Sequence, residues 1–231
     1  MRNYYPLINS MGSGAVISTL NTGLFAAYNA DNNTNDSFGT NNGTAYGGLT
    51  YVTGKIGEAF NGNGSNSYIE LPNNSLNFTG DFSVSTWVKM SAGTINCILG
   101  NYAVQSGNNG WVIALKNNND IDFSIYNGAT IVSLSYTNAA TFTTQYNHIY
   151  VERKAGVGSK IYLNNVLVAS NSSAVNPQYA TTHYPAICGV IENPSTKYWY
   201  MNGAVDATTI WNRALTTNEI TELYTGKQYP F

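Results

Sequence analysis

Near its C-terminus the chain spells out a complete structural ending. Between Tyr198 and Leu215, the tight-turn pair Asn202-Gly203 precedes a run in which Val205, Ile210 and Trp211 fit a strand with one buried face. Thr216 followed by Glu219 has capping-box spacing, so a short helix should begin there, and Gly226 is placed to end it. No helix of ordinary length is signalled before that point. From Leu24 to Tyr224, strand-like runs instead alternate with Asn-, Gly- and Ser-rich turns at short spacing, the pattern of an all-β domain.

The expected strands follow from alternation and turn chemistry. Phe82-Ser83-Val84-Ser85-Thr86-Trp87-Val88-Lys89 alternates as a half-buried strand does, with Trp87 read as a core residue. Leu24–Tyr28, Tyr68–Leu71, Ile95–Leu99, Trp111–Lys116, Ile121–Tyr126, Ile131–Tyr136, His148–Lys154 and Ala186–Ile191 are further strands. Lys160–Leu163 and Val166–Ala169 bracket Asn164-Asn165, a good hairpin turn. Asp31 to Gly48 reads as a long polar loop. Residues 1–23 show no sustained period and are expected to form an arm or linker, with residues 24–231 as one domain. The arm carries Tyr4, Tyr5, Leu7 and Ile8, a cluster able to dock on a partner.

A chain of 231 residues fits a single large β-domain. Only 10% of its residues are charged, against roughly 25% in ordinary soluble proteins. Asn, Thr, Ser, Gly and Tyr provide the surface instead. With a net charge of −2 and no basic stripe, nothing is prepared to hold phosphates, which argues against nucleic acid. No run approaches the roughly 18 apolar residues of a membrane span, and the N-terminus lacks a signal-like apolar core. Taken as a whole gene product, the sequence is expected not to follow the usual export route. Cys97 and Cys188 fall in expected strands and read either as two buried free thiols or as a cross-sheet disulfide.

Several segments, in order, resemble the laminin-G-like (concanavalin A-like) domains. Gly54-Lys55-Ile56-Gly57-Glu58-Ala59-Phe60 looks like their early glycine–alanine–phenylalanine strand, and Tyr68-Ile69-Glu70-Leu71-Pro72 like the next. Phe82–Lys89 resembles their tryptophan-bearing strand, and His148–Val151 through Asn165 their histidine strand and hairpin. The closing Asp206–Leu215 segment completes the series. Tyr146-Asn147 stands where tryptophan is common, and Asn165 replaces a usual glycine. The resemblance implies a two-sheet antiparallel jelly-roll sandwich with one short C-terminal helix. It also implies a structural calcium ion between the loop after the first strand and the aspartate of the closing strand. Here those are Asp31 and Asp36, in the loop Asp31–Asp36, and Asp206; the alternative is that Asp206 only accepts backbone amides.

Catalysis finds little footing. Glycoside hydrolysis needs two carboxylates flanking the scissile bond, and the nearest approach, Asp120-Ile121-Asp122, follows an apparent turn that Asp120 should cap. Neither His148 nor His183 has a nucleophile in a recognisable motif. Sugar recognition is better served: eighteen tyrosines and four tryptophans offer stacking platforms beside Asn-rich loops. Tyr102, Trp111, Tyr179, Tyr184, Tyr198 and Trp199 lie in or near expected loops and are the candidate carbohydrate-binding residues. The expected protein is non-enzymatic and lectin-like. A virion-surface setting (capsid decoration, fibre or tail-associated protein, held to other virion proteins through residues 1–23, with a homo-oligomer as one form) fits the absence of an export signal. The alternatives are a secreted bacterial carbohydrate-binding module or lectin and, further off, a glycoside hydrolase.

Overall fold

The computed structural model describes residues 18–91, 95–103, 107, 109–116, 120–128, 130–137, 142–179 and 182–231. Among these, one sheet has the order β13 (Val166–Asn171), β12 (Gly158–Leu163), β11 (Asn147–Lys154), β6 (Phe82–Met90), β17 (Asn202–Trp211), β4 (Glu58–Asn63) and β3 (Thr50–Thr53). An eighth strand, β1 (Leu24–Tyr28), also pairs with β17. The other, seven-stranded sheet runs β10 (Thr130–Thr137), β9 (Asp120–Asn127), β8 (Asn109–Lys116), β7 (Ile95–Ala103), β14 (Ala186–Ile187), β5 (Tyr68–Glu70) and β2 (Thr44–Tyr46). A separate hairpin joins β15 (Val190–Asn193) to β16 (Thr196–Tyr198), and the helix α1 spans Thr217–Tyr224. All pairings are antiparallel, as the jelly-roll reading requires. None of the described helices is long and apolar enough to cross a membrane.

The core lies between the sheets and follows strand alternation. Phe82, Val84, Val88 and Met90 of β6 face Trp111, Ile113 and Leu115 of β8 and Ile121, Phe123 and Ile125 of β9. Phe82 and Trp111 meet at 4.9 Å between ring centroids. Trp87 does not join them, contrary to the sequence reading. It opposes Asp206 and His148 on the outer face of the eight-stranded sheet, stacked on Tyr224. Both Asn164 (φ 49°) and Asn165 (φ 68°) adopt the left-handed conformation a type I′ hairpin needs.

Asn202-Gly203 is not a turn. Both residues belong to β17, and Gly203, at φ 147°, is required because a Cβ would run into the Lys89 carbonyl of β6. Further along the same strand, partners change: β4 pairs with Asn202–Val205 and β1 with Thr208–Trp211. The change falls at a bulge around Ala207 (φ 46°), which leaves Asp206 at the junction.

A second cluster covers the outer face of the eight-stranded sheet. Leu215, Ile220 and Leu223 from the helix region pack with Tyr150, Trp211, Leu24 and Leu20. The capping box is present: Glu219 N donates to Thr216 Oγ1 at 3.3 Å, and Thr216 N to Glu219 Oε2 at 2.8 Å. Arg213 grips the Glu219 carboxylate with both Nη atoms, at 2.9 and 2.6 Å. Thr19 Oγ1 adds a bond to Glu219, and Trp211 Nε1 donates to Leu20 O at 2.7 Å. Residues 18–23 are therefore part of the folded body, six residues earlier than the expected boundary at 24; the remainder of the expected arm lies outside the described residues.

Candidate functional site

The outer face of the seven-stranded sheet carries a different set of side chains. Because Ile121, Phe123 and Ile125 point inward, Asp122, Ser124 and Tyr126 of β9 must point outward. On β7, Tyr102 stands on the same side and packs against Tyr126 at 4.2 Å. The β15–β16 hairpin rests over β7 through Val190, which contacts the Cys97, Val112 and Ala114 patch. It delivers Tyr198 and Trp199 to this group. Trp199 stacks nearly parallel to Tyr102 (5.8 Å, 12°) and meets Tyr198 edge-on at 5.1 Å.

Trp199 is held in an unusual backbone state. Its φ of 54° is rare for a bulky residue, and its carbonyl accepts the Cys97 amide of β7 at 2.8 Å. The ring remains half-buried, while Tyr102 and Tyr126 beneath it are buried. Burial raises the pKa of Tyr102, Tyr126 and Tyr198, and Glu192 adds to the rise in Tyr102 and Tyr198. All three phenols are thus neutral donors at ordinary pH. The Tyr198 hydroxyl is buried with no protein partner. Beyond Tyr126 the face turns polar: Lys116 pairs with Asp122 at 2.8 Å, and Ser124 and Ser135 donate to the same carboxylate at 2.6 and 2.9 Å.

Of the six sequence candidates, this cluster gathers Tyr102, Tyr198 and Trp199. The other three lie elsewhere. Trp111 has no exposed surface, and its Nε1 donates to Leu76 O, so it is a core residue and no sugar can stack on it. Tyr179 packs against the main core and donates to Phe78 O at 2.9 Å. Tyr184 belongs to a separate patch with Tyr68, Ile191 and Tyr200. Tyr126 is not among the six, although strand alternation alone places it outward. Glu192 carried no sequence signal, because only the folded-over hairpin brings it near.

The carboxylates expected to hold calcium divide. Asp206 is buried, and its Oδ2 accepts the amides of Lys55 and Ile56 at 2.7 and 2.9 Å. Its Oδ1 makes no bond of normal geometry. Burial pushes its pKa up to about 6 against the pull of the Ile56, Lys55 and Ala207 amides, and the charge of Asp31 adds to the rise. A lone buried oxygen beside a second carboxylate suits a hard cation, so Asp206 and Asp31 fit the role. Asp36 does not. It organises its own loop, accepting the amides of Ala27, Phe38 and Asn41 and the Asn41 side chain. No group of three or more His, Cys, Asp or Glu side chains able to hold a metal occurs among the described residues, so backbone carbonyls or water would complete any such shell.

The catalytic candidates are occupied structurally. Asp122 commits both oxygens to Lys116, Ser124 and Ser135. Asp120 opens β9 opposite Lys116, and the turn it was expected to cap (117–119) lies outside the described residues. His148, fully buried against Trp87 with Nε2 on Ser85, has its pKa lowered to about 3 by burial. Cys97 and Cys188 are both free and buried, and burial drives the Cys188 thiol up to about 12.

With this geometry in view, the family model described as "Concanavalin A-like lectin/glucanases superfamily" matches residues 63–221. Among solved structures, the chain is similar to domain 4 of AbnA, an extracellular arabinanase from Geobacillus stearothermophilus, in complex with arabinotriose. They share 24% identity and a TM-score of 0.66, over 87% of this chain and 98% of that one. It is also similar to the binding domain of botulinum neurotoxin DC in complex with rat synaptotagmin II (16% identity, TM-score 0.70, 91% of this chain). A third similar structure is the binding domain of Paraclostridial Mosquitocidal Protein 1 (19%, 0.68, 88%). The chain spans about half of those two toxin domains, 53% and 52%. No curated protein matches it.

Proposed function

The chain belongs to the concanavalin A-like lectin/glucanases superfamily, and on that premise we propose that it is a carbohydrate-binding module with no catalytic activity of its own. The observation that carries this reading is the cluster of Trp199, Tyr198, Tyr102 and Tyr126 on the outer face of the seven-stranded sheet. A half-exposed indole held by a pinned backbone offers a flat apolar face to a sugar's C–H surface. Beneath and beside it lie the neutral Tyr102 and Tyr198 phenols and Glu192, a polar floor to the platform. Domain 4 of the arabinanase, whose structure holds arabinotriose, makes short arabino-oligosaccharides the first ligands to try.

The virion setting draws no support from the relatives, which are an extracellular enzyme's domain and toxin binding domains. An extracellular module is the better-supported proposal. Calcium, if bound between Asp206 and Asp31, would neutralise two nearby carboxylates and tie the first loop to the closing strand. The test is a glycan array on the intact protein, followed by titration of arabinotriose and of the array hits into wild type and Trp199→Ala. Binding that Trp199→Ala abolishes supports the reading. A silent array with folded protein, or binding indifferent to Trp199, sinks it.

A further inference from the structure

The eight-stranded sheet carries a second, electrically distinct recess. Beside the helix, its outer face holds two depressions of about 330 and 400 Å³ that share Tyr146 as a common wall. Lys55, Trp87 and Asn164 line the first; Lys89, Asn61 and Ser91 line the second. The side chains lining both are aromatic, neutral polar or cationic, and no carboxylate is among them.

In so weakly charged a chain, the placement of the lysines is informative. Among the described residues, Lys116, Lys160, Arg213 and Lys227 each have a carboxylate partner. Arg153 is spent on the carbonyls of Thr79, Gly80 and Val175 and on Asn176, and Lys197 on the Pro194 carbonyl. That leaves Lys55, Lys89 and Lys154, among the described residues, with neither a carboxylate nor a carbonyl bonded to the ammonium, and two of the three line this one groove. Lys55 is also positioned. Its Nζ sits 4.7 Å over the Trp87 ring, a cation–π contact that fixes an ammonium which would otherwise roam. Asp206, which opposes Trp87 across the strands, gives its Oδ2 to the Lys55 and Ile56 amides and not to the Lys55 ammonium.

We propose that this groove is a separate binding site for an anionic saccharide, whose carboxylate or sulfate meets Lys55 and Lys89. Asn61, Asn164 and the Tyr146 ring provide hydrogen bonds and an apolar wall for the sugar body. The site is independent of Trp199, on the opposite sheet.

The experiment titrates three probes into the intact protein: an oligogalacturonate, a sulfated oligosaccharide of similar length, and a neutral oligogalactose. Wild type is compared with Lys55→Met/Lys89→Met, with the charge-preserving Lys55→Arg/Lys89→Arg, and with Trp199→Ala, each checked for an unchanged melting curve. At least one acidic probe should bind. Its affinity should fall by about tenfold or more in the methionine variant, survive in the arginine and Trp199 variants, and weaken with added salt. Which acidic probe binds tells carboxylate from sulfate. Equal binding of the neutral probe, no loss in the methionine variant, or equally tight binding of polyglutamate would overturn the proposal. Loss through Trp199→Ala instead would return the ligand to the other face.

Discussion

Each sheet presents one face to the core and one outward, and the two outward faces are finished in opposite ways. On the eight-stranded sheet, Trp211 is fully buried, with its indole N–H bonded to Leu20 and its ring under Phe231. The helix, residues 18–23 and the Arg213–Glu219 pair seal it. On the seven-stranded sheet, Trp199 has no such cover. It lies half-buried at the margin of a hairpin, one face stacked on Tyr102, in a backbone conformation that costs energy. Two tryptophans twelve positions apart thus do different work: one completes a core, the other is held out. The lesson is that aromatic content marks a binding face only where burial stops short.

That contrast can be broken most forcefully at Trp211. Trp211→Ala should cost about 3–5 kcal/mol in urea denaturation, while Trp199→Ala should stay within about 1 kcal/mol of wild type. Similar losses would mean both rings are structural. The sealed face should also fail in acid. Burial alone would raise the Glu219 carboxyl, but Arg213, Thr19 and Thr216 overcome it and hold the pKa at about 2, below the ordinary 4.5. The folded state therefore keeps its charge longer than the unfolded state does. The stability this contributes is complete above pH 4.5 and is lost as pH falls toward 2. Unfolding free energies for wild type and Glu219→Gln should converge over that window; parallel curves would contradict it.

Calcium sharpens the same division. Saturating calcium at a hundredfold excess over its dissociation constant should add about 2.7 kcal/mol, or several degrees of melting temperature, and Asp206→Asn should erase the response. A calcium response that survives Asp206→Asn would move the ion elsewhere. On the open face the readout changes from stability to binding. Trp199→Ala should weaken the best array ligand by about tenfold or more while leaving the melting curve in place. The smallest effect belongs to Tyr126→Phe, which removes one hydroxyl beneath the platform. It should cost about 1 kcal/mol or less of stability and reduce affinity only slightly.

The sequence carried the frame well and the site in part, for reasons visible in single residues. Thr216 and Glu219 announce the helix because capping is local, and the alternation of Phe82–Lys89 announces a strand because it reports a period. The same alternation sets Trp87 beside Ser83, Ser85 and Lys89, opposite Phe82, Val84 and Val88, so its outward place is legible there too, and only its bulk argues for the core. Asn202-Gly203 has the composition of a turn, but its glycine answers to the Lys89 backbone on another strand, a constraint no dipeptide displays. The depth of Trp111 is hidden for a related reason: it is set by Phe82 and by the Leu76 carbonyl, not by its neighbours in sequence. Tyr198 and Trp199 were recognisable as aromatics beside a hairpin. Their meeting with Tyr102 and Tyr126 depends on that hairpin folding back over β7, and the sequence is silent on it.

Leu20 and Phe231 both rest against Trp211, so residues 18–20 and residue 231 lie close together over the same sheet. A tether attached at residue 18 or at residue 231 would therefore sit behind the Trp199 platform and display it outward. Many copies could be arrayed on a solid support or a scaffold without masking one another. The same proximity would let residues 18 and 231 be joined by a short linker and the chain reopened at an exposed loop, such as the Pro194-Ser195 tip, with every strand pairing retained.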